Sequence, residues 1–113
     1  MIGQYTAAKE VSATNIITVA APAKTAPVME RIAMAESHGK QYAANGQVTY
    51  HVNSNGSIDL GRWQINSVWF AQATKLGYDL TKEKDNEAFA MWLYANYGTE
   101  PWQSSKGASN WSK

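Results

Sequence analysis

The segment that decides the fold is residues 47–61, which read QVTYHVNSNGSIDLG. β-Branched and aromatic residues dominate 47–52, a composition typical of a strand. The Asn-Gly dipeptide at 55–56 is a strong hairpin-turn signal, and 57–60 supplies a short returning strand. Gly61 then lets the chain bend away from the hairpin. The segment therefore predicts a small antiparallel β-hairpin.

Helical periodicity lies on both sides of this hairpin. A first helix is predicted over 27–38, with Pro27 in its first turn and Gly39 after its end. Apolar spacing predicts a second helix over 62–76 and a third over 85–97, followed by a short final turn at 100–102. The sequence thus predicts an α+β fold that is mainly helical, with the small hairpin between helices.

Length and composition bound the domain organisation. The chain has 113 residues with a net charge of +1, which predicts one small domain and gives no electrostatic reason to bind nucleic acid. No apolar run reaches the roughly 18 residues of a membrane span, so none is expected. Residues 1–24 lack a sustained period and are interpreted as a leader or linker, with the folded domain over 25–113. The apolar run at 16–21 is too short for a clear signal peptide.

The cysteine and aromatic content limits what can stabilise the fold and which ligands the protein could bind. There is no Cys, so packing alone must hold the fold, while five Trp and six Tyr are available as core fillers or as stacking surfaces for sugar rings. Composition alone favours core filling. His38 and His51 lack metal-ligand spacing, and the turn glycine Gly56 does not sit in a calcium-loop register. No metal and no cofactor is expected.

Glu36 is the most informative single residue, because it stands on the apolar face of the first predicted helix. Burial and the negative end of the helix dipole both disfavour its charged form, so both should raise its pKa. A carboxyl that stays protonated near neutral pH can act as a general acid. A buried glutamate held by backbone groups or by an arginine explains the position equally well.

Asp59 is a second carboxylate, just after the hairpin turn. Its sequence neighbours are polar, so it should stay ionised. One protonated and one ionised carboxyl across a cleft is the pairing used to cleave glycosidic bonds. The alternative is an aspartate that stabilises the turn by accepting backbone N–H bonds, which is the commoner outcome beside a turn.

Three motifs, in order along the chain, resemble the lysozyme superfamily. AESHG at 35–39 resembles the Glu-Ser motif that ends the catalytic helix of lysozymes and lytic transglycosylases. Residues 53–70 look very like the hairpin and following helix of c-type lysozymes, and 97–102 resemble the last helix and cleft tryptophan. The resemblance covers about 27–105 and implies a lysozyme-like catalytic domain whose hairpin flanks an active-site cleft. Two departures are the absence of cysteines and a large residue, Trp63, at a position that is usually smaller.

The same resemblance implies roles for nine residues. Glu36 would protonate the leaving glycosidic oxygen, and Asp59 would form or stabilise the intermediate. The resemblance assigns the remaining residues to binding of the glycan in the cleft: Asn53, Ser57, Gln64, Asn66, Trp69, Phe70 and Trp102.

The resemblance implies an enzyme that hydrolyses the β-1,4 bond between MurNAc and GlcNAc in peptidoglycan. We expect a monomer, with chitooligosaccharides as a further candidate ligand. It would act at the cell wall, in an extracellular, periplasmic or phage-associated setting. Lytic transglycosylases are the alternative, since they share the glutamate and the Gly-x-x-Gln-Ile segment and give an anhydro product. They usually lack a carboxylate equivalent to Asp59, which favours hydrolysis. A non-catalytic glycan-binding domain on the same fold is the third interpretation.

Overall fold

The computed structural model describes residues 26–103 and Trp111. The predicted leader or linker at 1–24 lies outside these residues. The described part contains three α-helices, one three-stranded antiparallel sheet and two 3₁₀ turns, which confirms the α+β prediction. In chain order the elements are α1 (Pro27–Ser37), β1 (Tyr50–Val52), β2 (Ile58–Leu60), β3 (Ile65–Asn66), a 3₁₀ turn (Ser67–Trp69), α2 (Phe70–Lys75), α3 (Glu83–Tyr97) and a second 3₁₀ turn (Glu100–Trp102).

Helix α1 forms where the sequence predicts it. Pro27 occupies the first helical position, where its missing N–H costs nothing, and the helix buries Met29, Ile32 and Ala33. It ends at Ser37 because His38 adopts a left-handed conformation with φ of 58°. The His38 N–H then bonds the Met34 carbonyl at 3.0 Å, which satisfies a carbonyl that the helix end would leave unpaired.

The sheet has the order β1-β2-β3 and contains the predicted hairpin. The returning strand β2 lies where expected, but β1 begins only at Tyr50. Val48, predicted to belong to the strand, instead forms an isolated bridge to Tyr42. The Asn53 N–H donates to the Ser57 carbonyl at 2.8 Å and closes the turn.

The helix predicted over 62–76 is wrong in its first part. Gln64 has a positive φ of 49°, which no α-helix accommodates, and Ile65 then pairs with Leu60 as strand β3. The Asn66 side chain accepts the Val68 N–H and starts the 3₁₀ turn, so α2 covers only Phe70–Lys75. Pairing with β2 therefore overrides the apolar spacing from which the longer helix was predicted.

The core lies between α1, α3 and the loop that joins β2 to β3. Trp63, on that loop, is fully buried, and its indole N–H donates to the Met29 carbonyl of α1 at 2.7 Å. The Trp102 indole N–H in turn donates to the Trp63 carbonyl at 2.8 Å. Helix α3 contributes Phe89 and Leu93 to the same core. No helix among the described residues combines the length and the apolar character needed to cross a membrane.

Candidate active site

A cleft of about 620 Å³ opens between the C-terminal end of α1 and the three-stranded sheet. Residues from α1, from all three strands and from both 3₁₀ turns line it. This volume is within the range of small-molecule sites in enzymes, and such sites join a few polar groups to aromatic walls. The cleft is therefore the candidate active site.

Eight of the nine residues singled out from the sequence line this cleft: Glu36, Asn53, Ser57, Asp59, Gln64, Asn66, Trp69 and Trp102. The structure places Phe70 elsewhere. It packs against the core and lines a second cavity of about 330 Å³, together with Tyr78 and Leu80. Trp69 ends the 3₁₀ turn and Phe70 begins α2, and successive helical residues are rotated by roughly 100°, so the two rings face different cavities.

Glu36 occupies the last turn of α1 and is partly buried on the cleft wall. Its neighbour Ser37 fixes this end of the helix, because the Ser37 hydroxyl lies 2.6 Å from the carbonyl oxygen of Arg62 and donates to it. The Arg62 guanidinium bonds the Gly39 carbonyl at 3.0 Å and the Glu30 carboxylate at 2.8 Å. The helix end that carries Glu36 is thus tied to the β2–β3 loop from two sides.

Asp59 lies on β2 between two asparagine side chains. Its Oδ1 accepts the Asn66 amide at 2.7 Å, and its Oδ2 accepts the Asn53 amide at 3.1 Å. The Ser57 hydroxyl oxygen also accepts both amides, at 3.0 and 3.2 Å. An ionised carboxylate offers only acceptors, so two converging amide donors match its charged form. Both donors are side-chain amides, from Asn53 at the start of the turn and from Asn66 on β3, whereas the turn-stabilising aspartate considered above would accept backbone N–H bonds.

The strand register aligns three polar residues across the sheet. His51 is paired with Asp59, and Asp59 with Asn66, so one residue from each strand shares the face that borders the cleft. His51 is exposed and was assigned no role from the sequence. A signal was present, because a turn closed by Asn53 and Ser57 places residue 51 directly opposite residue 59.

Most of the chain matches a known protein family. The family model for the lysozyme-like domain matches residues 13–113. The chain belongs to the lysozyme-like domain family. Membership indicates a glycosidase or lytic transglycosylase that acts on peptidoglycan, and so a protein that binds glycan and works in the periplasm or outside the cell. No curated protein and no solved structure gives a significant match to the chain.

The lysozyme-like domain braces its β2–β3 loop with two buried amide side chains. Asn86 of α3 donates to the Leu60 carbonyl at 3.0 Å and accepts the Trp63 N–H at 3.1 Å. Gln41 accepts the Arg62 N–H at 2.7 Å. Because backbone groups buried under the loop are costly to leave unpaired, these amides fix the loop path. That path carries Gln64 to the cleft wall.

The described part of this lysozyme-like domain offers no cluster of three His, Asp or Glu side chains that could hold a metal ion. The polar groups of the cleft are instead amides, hydroxyls, two carboxyls and the His51 imidazole, with Trp69 and Trp102 beside them. Such a set suits a neutral, hydroxyl-rich ligand with apolar C–H faces, which is the chemistry of a sugar chain.

Proposed function

We propose that this lysozyme-like domain hydrolyses the β-1,4 bond between MurNAc and GlcNAc, with Glu36 as the general acid and Asp59 as the ionised second carboxylate. The observation that carries the proposal is that both carboxyl groups line one cleft but have different surroundings. Asp59 lies on β2 and accepts two amide hydrogen bonds, while Glu36 is partly buried in the last turn of α1. Environments that differ in this way divide acid and anion roles between two carboxyls.

In the proposed reaction Glu36 gives its proton to the glycosidic oxygen while the bond from that oxygen to the anomeric carbon breaks. Positive charge develops on the sugar ring, and the Asp59 carboxylate stabilises it. Asn53 and Asn66 hold that carboxylate in one orientation, so little rearrangement is needed when the charge appears. Glu36, now deprotonated, then takes a proton from the water that attacks the ring.

Hydrolysis is proposed over transglycosylation because of Asp59. In a lytic transglycosylase the substrate's own 6-hydroxyl attacks the anomeric carbon. These enzymes usually lack a second carboxylate at the position of Asp59. Two asparagines and a serine are arranged around Asp59, which supports a direct role for its charge. Chitooligosaccharides present the same linkage, and we expect slower cleavage of them. We further propose that the domain acts as a monomer in an extracellular, periplasmic or phage-associated setting.

The test is digestion of purified peptidoglycan by the wild type and by Glu36→Gln. We expect Glu36→Gln to lose at least about 100-fold in turnover, the usual contribution of a positioned acid, while its circular dichroism stays native. Glu83→Gln is the matched control, since Glu83 is exposed at the start of α3, and it should cleave like the wild type. Turnover by Glu36→Gln at the wild-type rate would reject the assignment.

Mass spectrometry of the released muropeptides separates the mechanisms. Hydrolysis adds water and leaves reducing MurNAc ends, which is the expected result. If the products instead carry 1,6-anhydro-MurNAc ends, the enzyme is a lytic transglycosylase and the hydrolytic proposal is rejected. Sedimentation of the wild type with cell walls, without release of soluble fragments, would leave a glycan-binding domain with no catalytic role.

A further inference from the structure

A continuous row of aromatic rings connects the cleft wall to the core through helix α3. Trp69, on the cleft wall, contacts Tyr97 with ring centroids 5.1 Å apart. Tyr97 meets the edge of Trp92 at 6.1 Å, and Trp92 stacks on Phe89 at 5.4 Å with an angle of 10° between their planes. Phe89 is fully buried, so the row is anchored in the core.

Tyr97, which lies between Trp69 and Trp92 in this row, is open to solvent. Tyr97 is the last residue of α3, is 45% exposed and does not belong to the cleft lining. Val68, on the cleft rim beside Trp69, is 75% exposed. Burying large apolar side chains is favourable, so an exposed aromatic ring that two other rings hold beside the cleft is available to a ligand that extends beyond the cleft.

We propose that Tyr97 is a further glycan-binding residue, and that the glycan strand leaves the cleft over Trp69 and packs a sugar ring against Tyr97. This inference rests on the proposed action on glycan strands. A glycan strand is the expected occupant, because the exposed ring touches a ring that already lines the cleft. A polymer bound in a cleft of about 620 Å³ must emerge from it, and the aromatic row borders one way out.

The geometry of Tyr97 favours recognition of a sugar over a charged ligand. The contacts that hold its ring are aromatic, and the C–H face of a pyranose packs on such a surface without requiring a charge. Trp69 and Trp92 restrict the ring in advance, so little side-chain freedom is lost when a sugar covers it. Tyr97 would therefore increase the affinity for long strands, whereas strands short enough to stay inside the cleft would not reach it.

The test is calorimetric titration with peptide-free glycan strands of two lengths, short ones that fit the cleft and long ones that extend beyond it. Glu36→Gln serves as the background so that strands stay intact. We expect this protein to bind long strands about three- to tenfold more tightly than short ones, the range of one aromatic contact. Adding Tyr97→Ala should abolish the preference for length, and Tyr97→Phe should keep it because the ring remains.

Tyr50→Ala is the matched control, since Tyr50 is 60% exposed and does not line the cleft. It should keep the length preference. Thermal unfolding checks that Tyr97→Ala still folds, and Tyr97→Leu provides a bulkier replacement without an aromatic ring. An unchanged length preference in Tyr97→Ala and Tyr97→Leu overturns the inference, as does an equal loss in Tyr97→Phe. Because these are binding measurements, they fail or succeed independently of whether the wild type cleaves peptidoglycan.

Discussion

At the residue scale, the position of Asp59 depends on side chains that surround both of its oxygens. Asn53 reaches one oxygen from the start of the turn, and Asn66 reaches the other from β3. Asn66 cannot simply reverse its amide to suit a new neighbour, since its own oxygen accepts the Val68 N–H at 3.0 Å. The two amides therefore stabilise the negative charge of the carboxylate and also fix its orientation.

Asp59→Asn tests that role with almost no change of shape. The variant removes the charge and places an amide N–H₂ against an amide donor, so we expect a loss of about 100-fold or more in turnover and of about 1–3 kcal/mol in unfolding free energy. Turnover on peptidoglycan and urea unfolding measure the two effects separately. Asp85→Asn is the control, because Asp85 accepts the Asp79 N–H at 2.8 Å outside the cleft and should affect stability alone. Wild-type turnover by Asp59→Asn would remove Asp59 from the mechanism.

At the element scale, the β2–β3 loop depends on a glycine. Gly61 has φ of 81°, and an added Cβ would overlap the Asn86 amide and lie 2.8 Å from the Gln41 Oε1. The loop approaches these two buried amides so closely that any side chain at 61 would push it away. Since Gln64 and Arg62 lie on the same loop, such a shift would displace Gln64 in the cleft and the Arg62 contacts at the end of α1.

We expect Gly61→Ala to lower the free energy of unfolding by about 2–4 kcal/mol, from backbone strain and displaced amides together. Gly77→Ala isolates the strain, because Gly77 has a similar φ of 89° but nothing within 4 Å of an added Cβ. It should cost only about 1–2 kcal/mol. Urea unfolding of both variants gives the comparison. Equal losses would show that the close approach to Asn86 and Gln41 contributes nothing.

The elements also divide by how much of them the sequence predicted. Helix α1 has strong apolar periodicity and begins at Pro27, and α3 has a similar periodicity and ends before Gly98. The hairpin has an Asn-Gly turn. Local sequence signals were therefore enough to predict these three elements. Strand β3 has two residues and no period of its own. It exists because Gln64 reverses the backbone and Leu60 offers a partner, and both are tertiary effects. Phe70 was assigned to the cleft with Trp69 because the two match a pair of cleft aromatics in the lysozyme resemblance, although a helix turns adjacent residues apart.

At the scale of the whole molecule, the smaller cavity lies on the other face of β2 from the cleft, because Leu60 lines it while the preceding residue, Asp59, lines the cleft. Tyr78 lines the smaller cavity and contacts Phe89, which joins it to the core. Burial, and then the negative charge of Asp85, raise the pKa of Tyr78 above its ordinary 10.0. The fold therefore retains this proton more tightly than the unfolded chain does.

This difference predicts a loss of stability at alkaline pH. The contribution from Tyr78 is complete below a pH of about 10, declines as the unfolded chain begins to ionise, and is gone once the pH passes the raised pKa. Tyr78→Phe cannot ionise, so its unfolding free energy should fall less steeply than that of the wild type across this range. Urea unfolding at several pH values measures the slopes. Parallel curves for the two proteins would contradict the prediction.

The placement of the tryptophans has an optical consequence. Trp63 and Trp102 are buried with their indole N–H groups bonded to carbonyls, although Trp102 also lines the cleft, whereas Trp69 is partly exposed on the cleft wall. Buried indoles emit at shorter wavelengths than wet ones, so the native spectrum should contain a blue component from the core and a red-shifted component from the cleft wall. A saccharide that covers Trp69 would shift mainly the red-shifted emission, because Trp102 is already buried, while denaturant would shift both. Ligand occupancy and unfolding could then be followed in one cuvette without any added dye.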